Sequence, residues 1–407
     1  MSLNENRYLE IVEKLADKLC QEAIWYANQC NWTGIFHHTQ IGNAKTVLRA
    51  LPTNFYNGSA GVGFFLAAAF HQFQKPIYKQ TAIGAFEKTY GQIHKIRNER
   101  IGFYEGQTGI AFSMIQAGEW LSENDLIEKG KKIIEDIIKN DNLAWSLDMQ
   151  EGCTGALPIL IMLHKKYNFS NIDNFTQSLG NYILNAANKT KKGWSWKTIE
   201  GDFPDATGYA HGTSGIAHAM LELYNFTKNT NYLEAAEQAI KYENLFFSKK
   251  YLNWKDVRIT DSKRSRRKSL ALSAWCVGGV GIGYSRLRAY QLTGNERYLD
   301  DARNALKNSS EKKFDKANDF SLCHGFFGDM SFLLWASQVL NIETYENLVY
   351  ESVNNLLTTY QELEKPLPDG HDFILENPSF MLGWTGIGYF LLRLCKPKAF
   401  PEILLIA

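Results

Sequence analysis

The sequence predicts an all-α protein folded as a double-layered (α/α)7 toroid, with parallel inner helices and returning outer helices. Two observations carry this. First, a Gly-x-x-Gly turn followed by an apolar run occurs seven times, at Gly58-Gly61, Gly106-Gly109, Gly152-Gly155, Gly212-Gly215, Gly278-Gly281, Gly325-Gly328 and Gly383-Gly386. The first glycines are spaced by 48, 46, 60, 66, 47 and 58 residues, the length that a helix pair with two connections needs. Second, the runs after the turns, such as Gly61-Val-Gly-Phe-Phe-Leu-Ala-Ala-Ala-Phe70, are small and apolar on nearly every side. A helix of that kind is buried most of the way round.

The segments between the runs differ in kind. Tyr232-Leu-Glu-Ala-Ala-Glu-Gln-Ala-Ile240 and Tyr298-Leu-Asp-Asp-Ala-Arg-Asn-Ala-Leu306 space their apolar residues by three and four with charges between, which predicts amphipathic outer helices. A ring suits seven such alternations better than an open solenoid, because the last repeat, Met381 to Leu394, is as apolar as the middle ones and offers no polar cap. The glycines are expected to permit positive φ at the turns and close approach between inner helices. Ahead of the ring, residues 1–50 are expected to form a helical lead-in packed on it. Tyr8 to Tyr26 has helical apolar spacing and Ala27 to Leu48 is mixed and polar. His37-His38 is read as a pair of exposed loop histidines, since no cysteine or carboxylate accompanies it at ligand spacing.

With 407 residues, 45% hydrophobic, the chain can bury a large core, and the repeats assign residues 51–407 to one seven-repeat domain. A net charge of +1 gives no reason to expect a nucleic-acid partner. No uninterrupted apolar stretch approaches the ~20 residues of a membrane span. Acidic residues stand where a signal peptide would carry its apolar core, so a soluble, cytoplasmic protein is expected. Cys20, Cys30, Cys153 and Cys395 are most simply free core thiols.

If the inner helices are parallel, all seven turns share one mouth, and equivalent positions can be compared. One residue before the first glycine stand Asn57, Glu105, Glu151, His211, Val277, His324 and Leu382. Two residues before stand Tyr56, Tyr104, Gln150, Ala210, Cys276, Cys323 and Met381. Cys276, Cys323 and His324 therefore fall on adjacent repeats at one end of the ring. Two thiolates and an imidazole with a fourth position open form a catalytic-type zinc site. The alternative is two buried thiols and a histidine bonded to backbone at a helix start. His211 shares the phase of His324 without a cysteine beside it, which suits an acid/base group or a capping histidine. Asp148, four residues before its glycine, is the ionisable member of its phase and is expected to orient or charge-stabilise His211. His218, deeper in the same run, is read as a core histidine.

These residues carry a resemblance. Ser273-Ala-Trp-Cys276-Val-Gly278 with Arg286-Leu-Arg-Ala-Tyr290, then Leu322-Cys323-His324-Gly325, Pro378-x-x-Met381-x-Gly383-x-x-Gly386 and His211-Gly-x-x-Gly215, together resemble the lanthionine synthetase C-like family over essentially the whole chain from about residue 50. The resemblance implies a seven-fold double ring, Zn2+ held by Cys276, Cys323 and His324, and cyclisation of a dehydrated precursor peptide by adding cysteine thiols to dehydroalanine or dehydrobutyrine. It is closest in kind to free-standing cyclases that work beside a separate dehydratase and a transporter. Two positions depart from it: members similar to the nisin cyclase carry arginine and tyrosine where this chain has Leu272 and Val277.

Upstream of Cys276, Lys263-Arg-Ser-Arg-Arg-Lys268 is the dense basic run. It is either a solvated loop or, through Arg264, Arg266 and Arg267, a landing site for an acidic leader peptide or a source of an arginine for the mouth. A different class of function is also compatible with the motifs, a non-catalytic zinc-containing relative that binds peptide or glutathione. A neighbouring precursor gene and dehydratase would favour the enzyme.

Overall fold

The computed structural model describes residues 3–40, 43–140, 144–259, 269–312, 319–362 and 377–406. Fourteen α-helices lie among them. The inner layer is α2 (Ser59–Phe73), α4 (Gln107–Leu121), α6 (Cys153–Tyr167), α8 (Thr213–Thr227), α10 (Gly279–Thr293), α12 (Phe326–Leu340) and α14 (Trp384–Cys395). Each packs on the next, and α14 packs back on α2, which closes the ring. Six outer helices follow their inner partners: α3 (Pro76–Gly91), α5 (Asn124–Ile138), α7 (Ile172–Asn185), α9 (Thr230–Glu243), α11 (Glu296–Ser310) and α13 (Glu343–Glu362). The seventh outer helix comes from the other end of the chain. It is α1 (Leu3–Glu22), which packs on α14.

A circle of backbone hydrogen bonds joins the seven turns. Tyr56 N–H donates to the Tyr104 carbonyl (2.8 Å), Glu105 to Gln150 (2.8 Å), Met149 to Ala210 (3.0 Å), Ala210 to Cys276 (3.1 Å), Trp275 to Cys323 (3.0 Å), Cys323 to Met381 (3.0 Å), and Met381 to Tyr56 (2.8 Å). The accepting residues are the seven that stand two before the first glycines. The turns therefore do lie at one end, and the inner helices are parallel.

The glycines serve this packing in a different way from the expected one. Of the seven first glycines, which are the N-caps of the inner helices, Gly278 alone has positive φ (82°). The others are extended, as at Gly152 (φ −101°). Space is what requires them. A Cβ on Gly58 would run into the Asn54 carbonyl oxygen of its own turn, and one on the second glycine Gly109 into the Phe103 carbonyl oxygen, with Phe55 Cβ of the preceding repeat at 3.3 Å.

The centre of the ring is filled by the segment after α14. Phe400, Ile403, Leu404, Leu405 and Ile406 are buried. The Trp275 indole donates to the Leu404 carbonyl (2.8 Å) and the Tyr104 hydroxyl to that of Ile403 (2.8 Å), so two of the seven turns hold this segment. Glu402 accepts from Tyr284 of α10 (3.0 Å) and Ser331 of α12 (3.1 Å), and pairs with Arg393 of α14 (2.8 Å). The hub is thus a packed floor beneath the mouth.

The helical lead-in ends at Glu22. Residues 24–50 instead form two antiparallel hairpins, β1 (Ile24–Tyr26) with β2 (Gln29–Asn31), and β3 (Thr33–Gln40) with β4 (Asn43–Ala50). Tyr26 pairs with Gln29 across a two-residue turn in which Ala27 takes positive φ (52°). That turn stops the helical spacing that Ile24, Trp25 and Tyr26 seemed to continue, and β-favouring aromatic and branched residues take up the ladder. His37 and His38 are strand residues, in register with Thr46 and Lys45, and are not in a loop. All six cysteines are free, with Cys30 and Cys153 buried and Cys20 and Cys395 partly buried.

Candidate metal and acid-base centre

The fifth and sixth turns bring Cys276 and Cys323 together at the mouth. The neighbouring Cys323 thiol pulls the Cys276 thiol down to about 6 against the opposing effect of burial. The positive fields of His324, Arg258 and His211 add to the fall. Burial, joined by the neighbouring Cys276 sulfur, pushes Cys323 well above the ordinary thiol range. The pair thus holds one proton more readily than two. Cys323 also accepts a hydrogen bond from the Tyr56 hydroxyl (2.9 Å), which reaches over from the first repeat.

His324, next in sequence to Cys323, is held through Nδ1 by the Asp319 carboxylate. Asp319 is fixed in turn, its Oδ1 accepting from Ser321 N–H (2.7 Å). Burial disfavours the imidazolium, but the hydrogen bond and charge of Asp319 outweigh it and raise the His324 pKa. Among the described residues no three His, Cys, Asp or Glu side chains are drawn around one metal position. The donor chemistry nevertheless suits zinc. Two touching thiols, one already acidified, stand beside an imidazole whose Nδ1 is occupied by a carboxylate, the arrangement that leaves Nε2 as ligand.

His211 and Asp148 meet as their phases suggest. Asp148 Oδ2 lies 2.7 Å from His211 Nδ1, and its Oδ1 accepts from the backbone N–H groups of Glu151 (2.7 Å) and Gly152 (3.1 Å) at the start of α6. Burial lowers the imidazole pKa, yet the hydrogen bond and charge of Asp148 prevail and raise it. Asp148 is buried and His211 partly exposed, so the histidine presents its free edge to the mouth. Beside them Glu105 is raised, chiefly by burial and then by Glu151.

His218 is a core residue. It is fully buried, with Nδ1 2.8 Å from the Tyr209 hydroxyl and Nε2 3.6 Å from Glu222. Arg264, Arg266 and Arg267 lie outside the described residues. Three residues of the site escaped the sequence reading: Tyr56, Asp319 and Arg258. Tyr56 stands in the same phase as the cysteines, and its hydroxyl was the available signal. Asp319 precedes His324 by five residues. Arg258 lies in no repeat phase at all.

The model of the lanthionine synthetase C-like protein family matches residues 49–405. The chain belongs to that family. A lacticin 481/lactococcin biosynthesis protein of Lactococcus lactis subsp. lactis is 25% identical over 381 residues, covering 88% of this chain but 37% of that protein. The chain therefore spans little more than a third of the relative's length. In the solved structure of nisin cyclase the same fold recurs, with a TM-score of 0.66, 18% identity, and coverage of 98% of this chain and 96% of that one. Within the lanthionine synthetase C-like ring described here, Leu272 is exposed and Val277 is buried. Neither apolar side chain offers the mouth a charge or a hydrogen bond. No helix of the described residues is long and apolar enough to cross a membrane.

Proposed function

We propose that this protein is a zinc-dependent cyclase of the cytoplasm, which forms lanthionine and methyllanthionine thioethers in a dehydrated precursor peptide. The observation that carries the reading is the meeting, at one mouth, of the Cys276–Cys323 thiol pair with His324 beside it and of the separate His211–Asp148 pair. Cys276, Cys323 and the Nε2 of His324 would hold the metal.

Zinc held there would let a substrate thiol ionise at neutral pH, which for a thiol of pKa ~8.5 would be a gain of about thirty-fold, or ~2 kcal/mol. That gain is modest, and metal ligation also blunts a thiolate's nucleophilicity. The remaining acceleration falls to the chain's own groups. The packed hub closes the floor, so the precursor's thiol and alkene are confined to the mouth, and confinement of two reactants is the larger resource. His211, kept protonated by Asp148, can deliver a proton to the α-carbon once sulfur has bonded to the β-carbon. The anchoring of Asp148 by two backbone N–H groups fixes the ring that makes the transfer.

Incubating the purified protein with a dehydrated, cysteine-containing precursor tests this directly. Cyclisation is read as loss of alkylatable thiol at unchanged mass. A protein that binds zinc and precursor but never consumes the thiol would be the non-catalytic binding relative instead.

A further inference from the structure

We propose that Arg258 is the oxyanion-binding residue of this site, its guanidinium facing the carbonyl oxygen of the dehydro residue as that oxygen becomes an enolate. The proposal rests on the cyclase reading above. The step it serves is balanced: the precursor's S–H is lost, an S–C bond forms at the β-carbon, and the alkene π pair passes through the α-carbon to the carbonyl oxygen. A proton then adds to the α-carbon, and no atom leaves. The negative charge that appears on oxygen needs a preplaced donor.

Arg258 is built for that task. Its Nε and Nη2 donate to the two oxygens of Asp256 at 2.9 Å each, and its own backbone N–H donates to Asp256 Oδ1 at 3.0 Å. Asp256 is buried, so the fork is held along one edge, while Nη1 has no protein partner among the described residues and the side chain is 33% exposed. A guanidinium fixed on one edge and free on the other is a preorganised donor.

Its place in the ring is fixed by both neighbouring turns. The Asp256 N–H donates to the Ser269 carbonyl (3.0 Å), and the Lys255 carbonyl accepts from the Thr207 hydroxyl (2.8 Å). Asn253, three residues ahead of Asp256, accepts from Gly279 N–H at the start of α10 (2.7 Å). The segment 253–258 is thereby tied to the turn that carries Cys276 and to the turn that carries His211. The two turns abut, since a Cβ on Gly208 would stand 2.9 Å from Val277 Cα. The field of Arg258 reaches Cys276, Cys323 and His211 alike. Among the described residues Arg100 also lies towards the mouth, and it is ion-paired with Glu151 (3.0 Å).

The test compares Arg258→Gln, Arg258→Lys and the double variant Arg258→Gln/Asp256→Asn with wild type, using a dehydrated precursor for turnover and its undehydrated form for binding. The double variant leaves no buried carboxylate without a partner, so it reports on the charge even if the single one folds poorly. Turnover at saturating precursor is expected to fall on the order of 10² to 10³ in the Gln variants, with partial recovery in Arg258→Lys. Zinc content and the dissociation constant of the undehydrated peptide should stay at wild-type values. Turnover of the folded Gln variants within a few-fold of an active wild type overturns the proposal alone, as does a loss fully explained by weaker peptide binding. A wild type that cyclises nothing overturns the cyclase reading and this proposal with it.

Discussion

His211 and His324 stand in the same phase, one residue before the first glycine of their turns, and each gives Nδ1 to a carboxylate. The carboxylates come from different places. Asp319 belongs to the turn of His324 itself, five residues earlier, whereas Asp148 reaches His211 from the preceding repeat, 63 residues away in sequence. The residue just before each histidine differs too, Cys323 in one turn and Ala210 in the other. One scaffold position thus yields two chemistries. A local carboxylate and an adjacent thiol suit the metal ligand proposed for His324, a ring oriented whether or not the neighbouring repeat is in place. A carboxylate across the seam and an alanine suit the acid/base group proposed for His211, a pair assembled only when the neighbouring repeat is in place.

The broadest break of this comparison is removal of a thiol. Cys276→Ala is expected to strip zinc and abolish cyclisation. Helical content should stay near wild type, because seven buried inner helices do not depend on metal to fold as a small zinc finger does. Stoichiometric zinc in purified Cys276→Ala would overturn the ligand assignment. His211→Ala should do the reverse, retaining zinc while slowing turnover on the order of 10² to 10⁴, the usual worth of a positioned acid. Metal analysis beside single-turnover kinetics separates the two, and near-normal turnover would make His211 a capping residue.

Much of this comparison was legible before any coordinates. The seven Gly-x-x-Gly turns gave the ring, and the ring put Cys276, Cys323, His324 and His211 in register, because a closed circle forces equivalent phases to one end. Asp148 was found the same way. Arg258 was not, since it sits in a connection outside every repeat and reaches the mouth through long-range bonds such as Thr207 to Lys255. The filled hub was invisible for a similar reason: nothing local in Phe400 to Ile406 says that a tyrosine and a tryptophan from distant turns will donate to its carbonyls. Positive φ was expected at the turns as the ordinary use of glycine, yet crowding within the turn proved to be the general constraint, with positive φ added only at Gly278 among the first glycines.

Exchanging the carboxylates sharpens the comparison at lower amplitude. Asp319→Asn should weaken zinc binding by about 10- to 100-fold, as loss of a partner behind a metal-bound histidine usually does, and leave the pH profile of turnover in place. Asp148→Asn should leave zinc alone and move the profile. On the proposed reading His211 acts as an acid in its protonated form, and its pKa is raised because Asp148 outweighs burial. Turnover therefore falls as pH rises through that raised value, and without the Asp148 charge the fall should begin at lower pH. The stability linked to the pair has the same sign. It is fully present below the ordinary histidine value of ~6.5, fades as pH rises through the raised one, and should be missing from Asp148→Asn. An unmoved profile would detach Asp148 from the proton transfer.

The smallest expected effect belongs to Tyr56, which donates to Cys323 but is neither one of the proposed metal ligands nor the proposed proton donor. Tyr56→Phe removes the hydroxyl that donates to the Cys323 sulfur at 2.9 Å and keeps the buried ring, so no cavity opens. A neutral hydrogen bond of this kind contributes about 0.5–1.5 kcal/mol net, which converts to a change of about two- to tenfold. Its direction follows from charge. The donor lowers the cost of a negative sulfur, so without it zinc should be held slightly less tightly, and competition with a chromophoric chelator would measure the difference. A loss as large as that of Asp319→Asn would mean that Tyr56 positions the sulfur as Asp319 positions the imidazole. An unchanged affinity would mean that the hydroxyl turns elsewhere once Cys323 is ionised.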